Sequence, residues 1–501
     1  MLLLGIDLGT SSVKVNVLDA ATQYCIASVQ YPETEADIIS VQPGWAEQSP
    51  DLWWENVKQA ILKCNATNLY DAKDIAAIGI AYQMHGLVLI DKDQHVLRNS
   101  IIWCDSRAVK IGEEAFAAIG NEKCLYHLLN SPGNFTASKL AWVKDHEPAV
   151  YEKIDKVMLP GDFIAMKLSG DITTTVSALS EGIFWDYRSN SISSDIYNYF
   201  GFDQSLFPQV QTLFAPHGLL KETVATRLSL KAGIPVSYKA GDQPNNALSL
   251  NVLQPGEVAA TAGTSGVIYG VSNQLEYDQQ SRINSFAHVN HKEEEARIGV
   301  LLCINGSGIF NRWVKNLIGT NRTYTELNQA ASFIKPGANG LLALPFGNGA
   351  ERMLNNQQVG AHFQNLDFNI HTDAHLVRAA QEGVAFAFRY GLDIMRENGM
   401  HPTIIRAGKT NLFLSDVFTR SFVNSTNVAI EFYNGDGSYG AALGAGIGAG
   451  IYSNAPDAFG NRKPSDCIEP EAKNNSEELY QQWKSFLHEK LHKVNEQIHI
   501  D

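Results

Sequence analysis

The 501-residue chain contains no Cys-x-x-Cys pair. Its six cysteines, Cys25, Cys64, Cys104, Cys124, Cys303 and Cys467, are scattered; that spacing suits reduced thiols and gives no framework for disulfides or structural zinc. A long apolar run is also missing. The longest stretch, Ala441 to Tyr452, is rich in Gly and Ala and too short to cross a bilayer. The opening Met1 to Ser12 segment has no basic residue before its apolar run and already carries Asp7, so it does not read as a signal peptide. Positive charge is scarce, with 39 Lys and Arg against 53 Asp and Glu and a net charge of −14. Such a surface repels phosphate backbones and anionic headgroups. A cytoplasmic protein is expected, with no nucleic acid and no membrane among its partners.

The chain is too long for one core, because single cores stop growing near roughly 250–300 residues. With 45% hydrophobic and 18% charged residues, it has the composition of a folded protein. Leu2 to Ile6, a polar turn Asp7-Leu8-Gly9-Thr10-Ser11-Ser12, and an alternating Val13, Val15, Val17 run predict a hairpin. The pattern returns at Val258 to Thr261, Gly263-Thr264-Ser265-Gly266, and Val267, Tyr269, Val271. Either Gly-Thr-Ser alone is an ordinary turn; the matched flanks point to a duplication, each half presenting its turn to a shared cleft.

Ser49-Pro50-Asp51 is a helix start, followed by an apolar face of Trp53, Val57 and Ile61. Ile75 to Ala81 and Val88 to Ile90 predict strands, and Leu479, Trp483, Phe486, Leu487, Leu491 and Val494 a closing amphipathic helix after an Asn475 cap. The expectation is an α/β fold, divided near Pro244 to Pro255 into residues 1–245 and 246–501.

Two glycine motifs are decoys. Gly408-Lys409-Thr410 ends like a phosphate-binding loop, but the required earlier glycine is Thr403. Gly435-Asp436-Gly437-Ser438-Tyr439-Gly440 satisfies G-x-G-x-x-G, yet Asn454-Ala455-Pro456 and Gly460 to Pro464 follow where a strand ending in an acid is needed. These glycines read as allowing a helix to pack closely on its neighbours.

Phosphoryl transfer to an alcohol needs donors around the phosphates, a carboxylate for Mg2+ or its waters, and a base. Gly9, Thr10, Ser11 and Ser12, with Gly263, Thr264 and Ser265, are candidate donors, and Asp7 a candidate metal group. Asp242, between Gly241 and Gln243-Pro244, is the candidate base on an unusual turn, although a purely turn-forming Asp is the commoner use of such a sequence.

The chain resembles the FGGY carbohydrate kinases of the actin-like ATPase superfamily along nearly its whole length. The resemblance is carried by Gly5 to Ser11, Pro43-Gly44-Trp45-Ala46-Glu47-Gln48, Trp103-Cys104-Asp105-Ser106-Arg107, Thr136 to Trp142, Gly241-Asp242-Gln243, Ala262 to Ser265, Gly360 to Phe363 and Arg378 to Gly383. It implies two ribonuclease-H-like domains flanking a central cleft, with ATP and Mg2+ as cofactors. It also implies a catalytic base at Asp242, a metal-linked carboxylate at Asp7, and nucleotide contacts extending to Gly408 and Asn411.

Tyr82-Gln83-Met84-His85-Gly86 is similar to the xylulose-phosphorylating members, whose Met-His pair touches the sugar. Phosphorylation of D-xylulose follows as the implied activity, with Gln83, Met84, His85, Trp103, Asp105 and Asp242 on the sugar side. Without the resemblance, Met84 and His85 read as an ordinary packed pair. Asp105 and Arg107 either reach distal hydroxyls or form a structural ion pair. Kinases for ribulose, fuculose or glycerol are the alternatives within the class, and an actin-like ATPase or sugar sensor outside it. Ala407-Gly408-Lys409 stands where the family has three glycines, and Asn365 where it has Gly. Sugar and ATP are the expected partners, with a homodimer left open.

Overall fold

The computed structural model describes residues 1–460 and 462–498. The first sheet has five strands: β1 (Leu2–Leu8), β2 (Val13–Asp19), β3 (Cys25–Tyr31), β4 (Ile75–Tyr82) and β5 (Val236–Gly241), in the order β5-β4-β1-β2-β3. β1, β2 and β3 are antiparallel neighbours, whereas β4 and β5 run parallel to β1. The second sheet contains β6 (Glu257–Ala262), β7 (Gly266–Ser272), β8 (Asn284–Ala287), β9 (Ile298–Ile304), β10 (Ile404–Gly408), β11 (Ile430–Tyr433) and β12 (Asp466–Ile468). Its central order, β9-β7-β6-β10-β11, repeats the directions of the first sheet strand for strand. The hairpin repeat is thus one part of a repeated five-strand unit. The molecule is built of two ribonuclease-H-like domains in the actin-like arrangement.

Helix α1 (Pro50–Asn65) starts where expected: Ser49 caps it by accepting the Leu52 N–H at 3.3 Å, and Trp53, Val57 and Ile61 are buried. α2 (Thr136–His146) carries Lys139, and α3 (Asp242–Ser249) follows β5 directly. In the second half α4 (Gly308–Ile318), α5 (Tyr324–Ser332), α6 (Asp373–Glu397) and α7 (Asp416–Thr426) surround the sheet. α8 (Gly437–Gly448) and the closing α9 (Ser476–Ile498) complete the set used here.

Alternation along β1 sets the geometry of the site. Leu4, Ile6 and Leu8 face the core shared with α1, whereas Leu3 joins a second core with Ala441, Ala442, Leu443 and Ala445 of α8. Gly5 and Asp7 share the face of Leu3. A Cβ on Gly5 would lie 1.8 Å from the Ser438 carbonyl oxygen, and one on Gly79 2.0 Å from that of Ala441. On the other side of the contact the G-x-G-x-x-G glycines also serve close packing, a Cβ on Gly437 lying 2.4 Å from Asp7 Oδ2 and one on Gly440 2.8 Å from Ser249 Cβ; α8 belongs by sequence to the second half but covers the first sheet. No dinucleotide-binding unit forms, since β12 pairs antiparallel with β11.

Candidate active site

The helices α3 and α8 meet at their N-termini. The Asn245 side-chain amide donates to the Gly437 carbonyl oxygen at 2.8 Å, and a Cβ on Gly440 would lie 2.9 Å from the Asn245 carbonyl oxygen. This junction brings Asp242, first residue of α3, toward Asp7 at the end of β1, with Asp436 capping α8 beside them. Burial raises the Asp7 pKa to about 6, with Asp436 adding to the effect and Lys14 opposing it. Burial and then the Asp7 charge raise that of Asp242 to about 7. Both residues are half-buried. The sequence suggested a turn at Asp242; the structure instead places it at a strand-to-helix junction, with Pro244 in the first helical turn, where a missing N–H costs nothing.

Behind Asp242 lies the segment from Tyr82 to Gly86. A Cβ on Gly241 would meet Met84 Cγ at 2.6 Å and Glu181 Oε1 at 3.3 Å, so only glycine lets β5 pass these side chains. His85 adopts a left-handed backbone with φ 63°. Its N–H donates to Glu181 Oε2 at 3.0 Å, and its Nδ1 lies 3.0 Å from the Glu181 carbonyl oxygen. Burial, followed by the Lys139 charge, lowers its pKa to about 3, so the ring is neutral. A neutral ring with Nδ1–H given to that carbonyl leaves Nε2 as an acceptor. The ring packs edge-on against Phe135 at 4.8 Å and tilted against Phe286 of β8 at 5.5 Å, joining the two halves.

The first Gly-Thr-Ser turn closes through the Gly9 N–H to the Ser12 carbonyl oxygen at 3.0 Å. Thr10 Oγ1 receives the indole N–H of Trp103 at 3.0 Å and donates to Gln83 Oε1 at 3.2 Å. Gln83 in turn donates to Gln48 Oε1 at 3.0 Å, and Gln48 to the Thr10 carbonyl oxygen at 2.8 Å. Gln83, assigned to the sugar side from sequence, is buried with both ends of its amide engaged; it braces the turn. Trp103 is 54% exposed and its indole lies open to a ligand. Ser11 is exposed and Ser12 half-buried on the same turn.

The second turn is locked to α4, whose Gly308 and Ile309 N–H groups donate to the Gly263 and Thr264 carbonyl oxygens at 2.8 and 3.0 Å. Thr264 and Ser265 are exposed. Beside them opens a cavity of about 430 Å³ lined by Gly263, Thr264, Arg312, Tyr324, Asn328 and Asn411 among others. Asn411 lines this cavity, and Gly408 ends β10 three residues before it.

Of the two readings open to Asp105, the structure holds the ion pair: Asp105 is 0% exposed, its Oδ2 lies 2.6 Å from Arg107 Nη2, and the Ala46 N–H donates to the same oxygen at 2.6 Å. The Arg107 guanidinium stacks 3.8 Å from the Trp45 ring centroid. This cluster joins two of the sequence landmarks and offers no free oxygen to a sugar.

Three residues near the cleft had no role in the sequence reading. Glu181 ends a short helix (Val176–Glu181) whose last five residues are buried, and accepts the Tyr82 hydroxyl at 2.7 Å; burial raises its pKa to about 8. Lys139 is 0% exposed and donates to the His85 and Ile102 carbonyl oxygens at 2.9 and 3.0 Å. Arg352 lies on a single 3-10 turn (Arg352–Leu354) beside β9. A carboxylate closing a helix of small residues was the one available signal, and it marked Glu181 only.

This architecture has known counterparts. A family model described as "FGGY family of carbohydrate kinases, N-terminal domain" matches residues 2–249. The xylulose kinase of Bacillus subtilis is 29% identical over 464 residues, covering 90% of this chain and 89% of its own. That of Escherichia coli is 28% identical over 457 residues, covering 90% of each. Among solved structures, a xyloylose kinase from Brucella ovis superposes with a TM-score of 0.87 at 26% identity, over 99% of this chain and 100% of its own. With a repeated fold, paired Gly-Thr-Ser turns and a likeness that runs from end to end, the chain belongs to the FGGY family of carbohydrate kinases.

Proposed function

We propose that this ATP-dependent carbohydrate kinase converts D-xylulose to D-xylulose 5-phosphate, with Asp242 as general base. The observation that carries this reading is the passage of Gly241 against Met84 and Glu181, which sets Asp242 beside the Met84-His85 segment. His85, neutral and with Nε2 free to accept, suits a sugar hydroxyl. Met84 and the exposed face of Trp103 suit its carbon edge. The xylulose kinases named above support the choice of sugar.

In the reaction Asp242 removes the proton from the attacking hydroxyl as its oxygen approaches the terminal phosphorus of ATP. The two Gly-Thr-Ser turns hold the phosphates through N–H and hydroxyl groups, and the cavity beside Thr264 takes the nucleoside. Residues 1–245 act as the sugar-binding domain and 246–501 as the nucleotide-binding one. Closure of the two halves excludes water, which otherwise competes as acceptor. Asp7, with Asp242 and Asp436 nearby, has Lys14 as the one cation among its leading influences, and a hard carboxylate in such surroundings suits a divalent cation held largely through water. Asp7 would hold Mg2+, directly or through water; bound there, the ion neutralises phosphate charge. Six free thiols suit a reducing cytoplasm.

A coupled ADP-release assay across pentuloses, hexuloses, glycerol and aldonates tests the proposal. D-xylulose should give the highest kcat/KM. Preference for a polyol or an aldonate would overturn the choice of substrate, and ATP hydrolysis with no sugar stimulation would favour the ATPase alternative.

A further inference from the structure

Arg352 is a half-buried cation without an anion. Other partly or fully buried arginines have oxygen partners: Arg98 and Arg107 are matched by Glu47, Arg378 by Glu382, Arg406 by Glu257 and Glu431, and Arg462, which has no carboxylate, by the Ser249 and Asn434 carbonyl oxygens. Arg352 has no carboxylate within ion-pair distance and no side-chain hydrogen bond among the described residues. Burial is the main influence on it, and the one charge it answers to is the Cys303 thiol. A half-buried guanidinium without a protein partner keeps its N–H donors free for oxygens brought by a ligand.

Its position is fixed from behind. The neighbouring Glu351 is 0% exposed and accepts the N–H groups of Asn305 and Gly306 at 3.0 and 3.1 Å, and the Asn305 side-chain amide donates to the Ala350 carbonyl oxygen at 2.8 Å. The 350–352 segment is therefore fastened to the end of β9. Two residues earlier on β9, Cys303 pairs with Val267 just after the second Gly-Thr-Ser turn and turns its side chain into the cleft, where it is exposed. Across the cleft stands His85, already in contact with Phe286 on the strand next to β9.

The 350–352 segment is fastened beside β9, and His85 packs on Phe286 of the neighbouring strand, so Arg352 stands on the His85 side of the cleft. Consistent with that place, its charge reaches His85 and Cys303, and the Cys303 thiol also feels Asp242. Arg352 is not among the leading influences on Asp7 or Asp242. The planar fork of an arginine matches a pair of adjacent oxygens better than a single one.

We propose that Arg352 is a specificity residue that binds two adjacent oxygens of the acceptor, at the end remote from the hydroxyl that receives the phosphoryl group. For a ketose these are the carbonyl oxygen and its neighbouring hydroxyl. The assignment rests on the sugar-kinase reading above. It adds a contact from the nucleotide-binding half to an acceptor otherwise held by the first half, so that the full sugar site exists only with the halves together.

The test compares Arg352→Gln and Arg352→Lys with the parent enzyme on D-xylulose and on the pentitols made by reducing its carbonyl. Loss of a charge-assisted pair of hydrogen bonds should raise the KM for D-xylulose by roughly 10–100-fold in Arg352→Gln. The pentitol KM should change less than that of the ketose, because reduction makes C2 tetrahedral and tilts the two oxygens out of the plane of the guanidinium fork, and the ATP KM should stay within about twofold. Arg352→Lys should recover part of the ketose affinity. Equal losses for ketose and pentitol, a rise in ATP KM instead, or unchanged kinetics would each overturn the assignment. Calorimetric titration of the sugar without nucleotide, on whichever variant keeps the parent melting temperature, separates a contact from a folding defect. If the parent enzyme prefers an acceptor other than xylulose, the substrate reading fails by itself. The same titration with the preferred acceptor then judges Arg352: undiminished affinity in Arg352→Gln overturns it, and weakened affinity supports it.

Discussion

The Lys139 ammonium lies 2.9 Å from the carbonyl oxygen of His85, and this bond helps to restrain a non-glycine residue in the left-handed region at φ 63°. The second acceptor, the Ile102 carbonyl oxygen at 3.0 Å, fixes the lysine itself. Burial lowers the Lys139 pKa to about 7, so the cation is kept at a cost. Left-handed backbone costs a non-glycine residue roughly 1–2 kcal/mol, which the lysine and the Glu181 contacts offset. The stability of this corner is given up for the orientation of one imidazole.

Lys139→Met should therefore separate stability from function. Methionine keeps the packing and removes a buried charge, so the melting temperature should hold or rise. With His85 released, the sugar KM should increase by about tenfold, the equivalent of the backbone cost, while the ATP KM stays unchanged. Parallel losses in both constants would show that the lysine supports the whole cleft and not His85.

Asp242→Asn removes the proposed base and keeps the volume. Turnover should fall by roughly 10^2 to 10^4, with sugar affinity by calorimetry within a few-fold of the parent. A variant that retains near-parent turnover would remove Asp242 from the chemistry.

The pH dependence follows from the same group. Burial and the nearby Asp7 charge raise the Asp242 pKa to about 7, and a base acts only when unprotonated. kcat/KM for the sugar should rise with pH through a limb near 7 and be lost as pH falls below it. Asp242→Asn should abolish that limb in its residual activity. A profile flat from pH 5 to pH 8 in the parent would contradict the assignment.

Gly437→Ala tests the metal position without touching a carboxylate. The added Cβ would lie 2.4 Å from Asp7 Oδ2, forcing that side chain aside at the start of α8. The Mg2+ concentration for half-maximal activity should rise several-fold in a metal titration, with sugar binding intact. An unchanged Mg2+ requirement would mean that Asp7 does not serve the ion.

Glu276, far from the reaction, reports on the pH dependence of folding. Its Oε2 is buried without a partner, and burial raises its pKa to about 7. A carboxyl with a raised folded-state pKa contributes no penalty below its unfolded value, and the penalty grows as pH rises toward the folded value. Glu276→Gln should thus raise the melting temperature at pH 8 and leave it nearly unchanged at pH 4.5. A gain of equal size at both pH values would refute the buried-charge explanation.

The sequence made the repeated hairpins legible because strands alternate with period two and polar turns interrupt them sharply. α1 was equally plain, since a Ser-Pro start and an apolar face carry local signals. Even the purpose of Gly437 and Gly440 was readable, as glycines for close packing. What they pack against was not: β1 and α8 are joined by tertiary contact alone. The backbone at Asp242, the candidate base, was expected to be a turn and is a helix start, because Gly and Pro flank both alike. Asp105 could not be decided from Asp105-Ser106-Arg107, because both outcomes need the same spacing and only burial distinguishes them. Glu181, Lys139 and Arg352 have their places near the cleft through neighbours remote in sequence, which no local pattern records.

The crossing of α8 onto the first sheet also bears on how the protein is made. Synthesis proceeds from the N-terminus, and β1, β4 and β5 leave the ribosome long before α8 exists. Until then the surface formed by Leu3, Ala77, Ala81 and Tyr238 has no lid, and it is apolar. The first half must wait, exposed, for a helix encoded about two hundred residues after β5, so nascent chains carry this uncovered surface from the completion of β5 until α8 emerges.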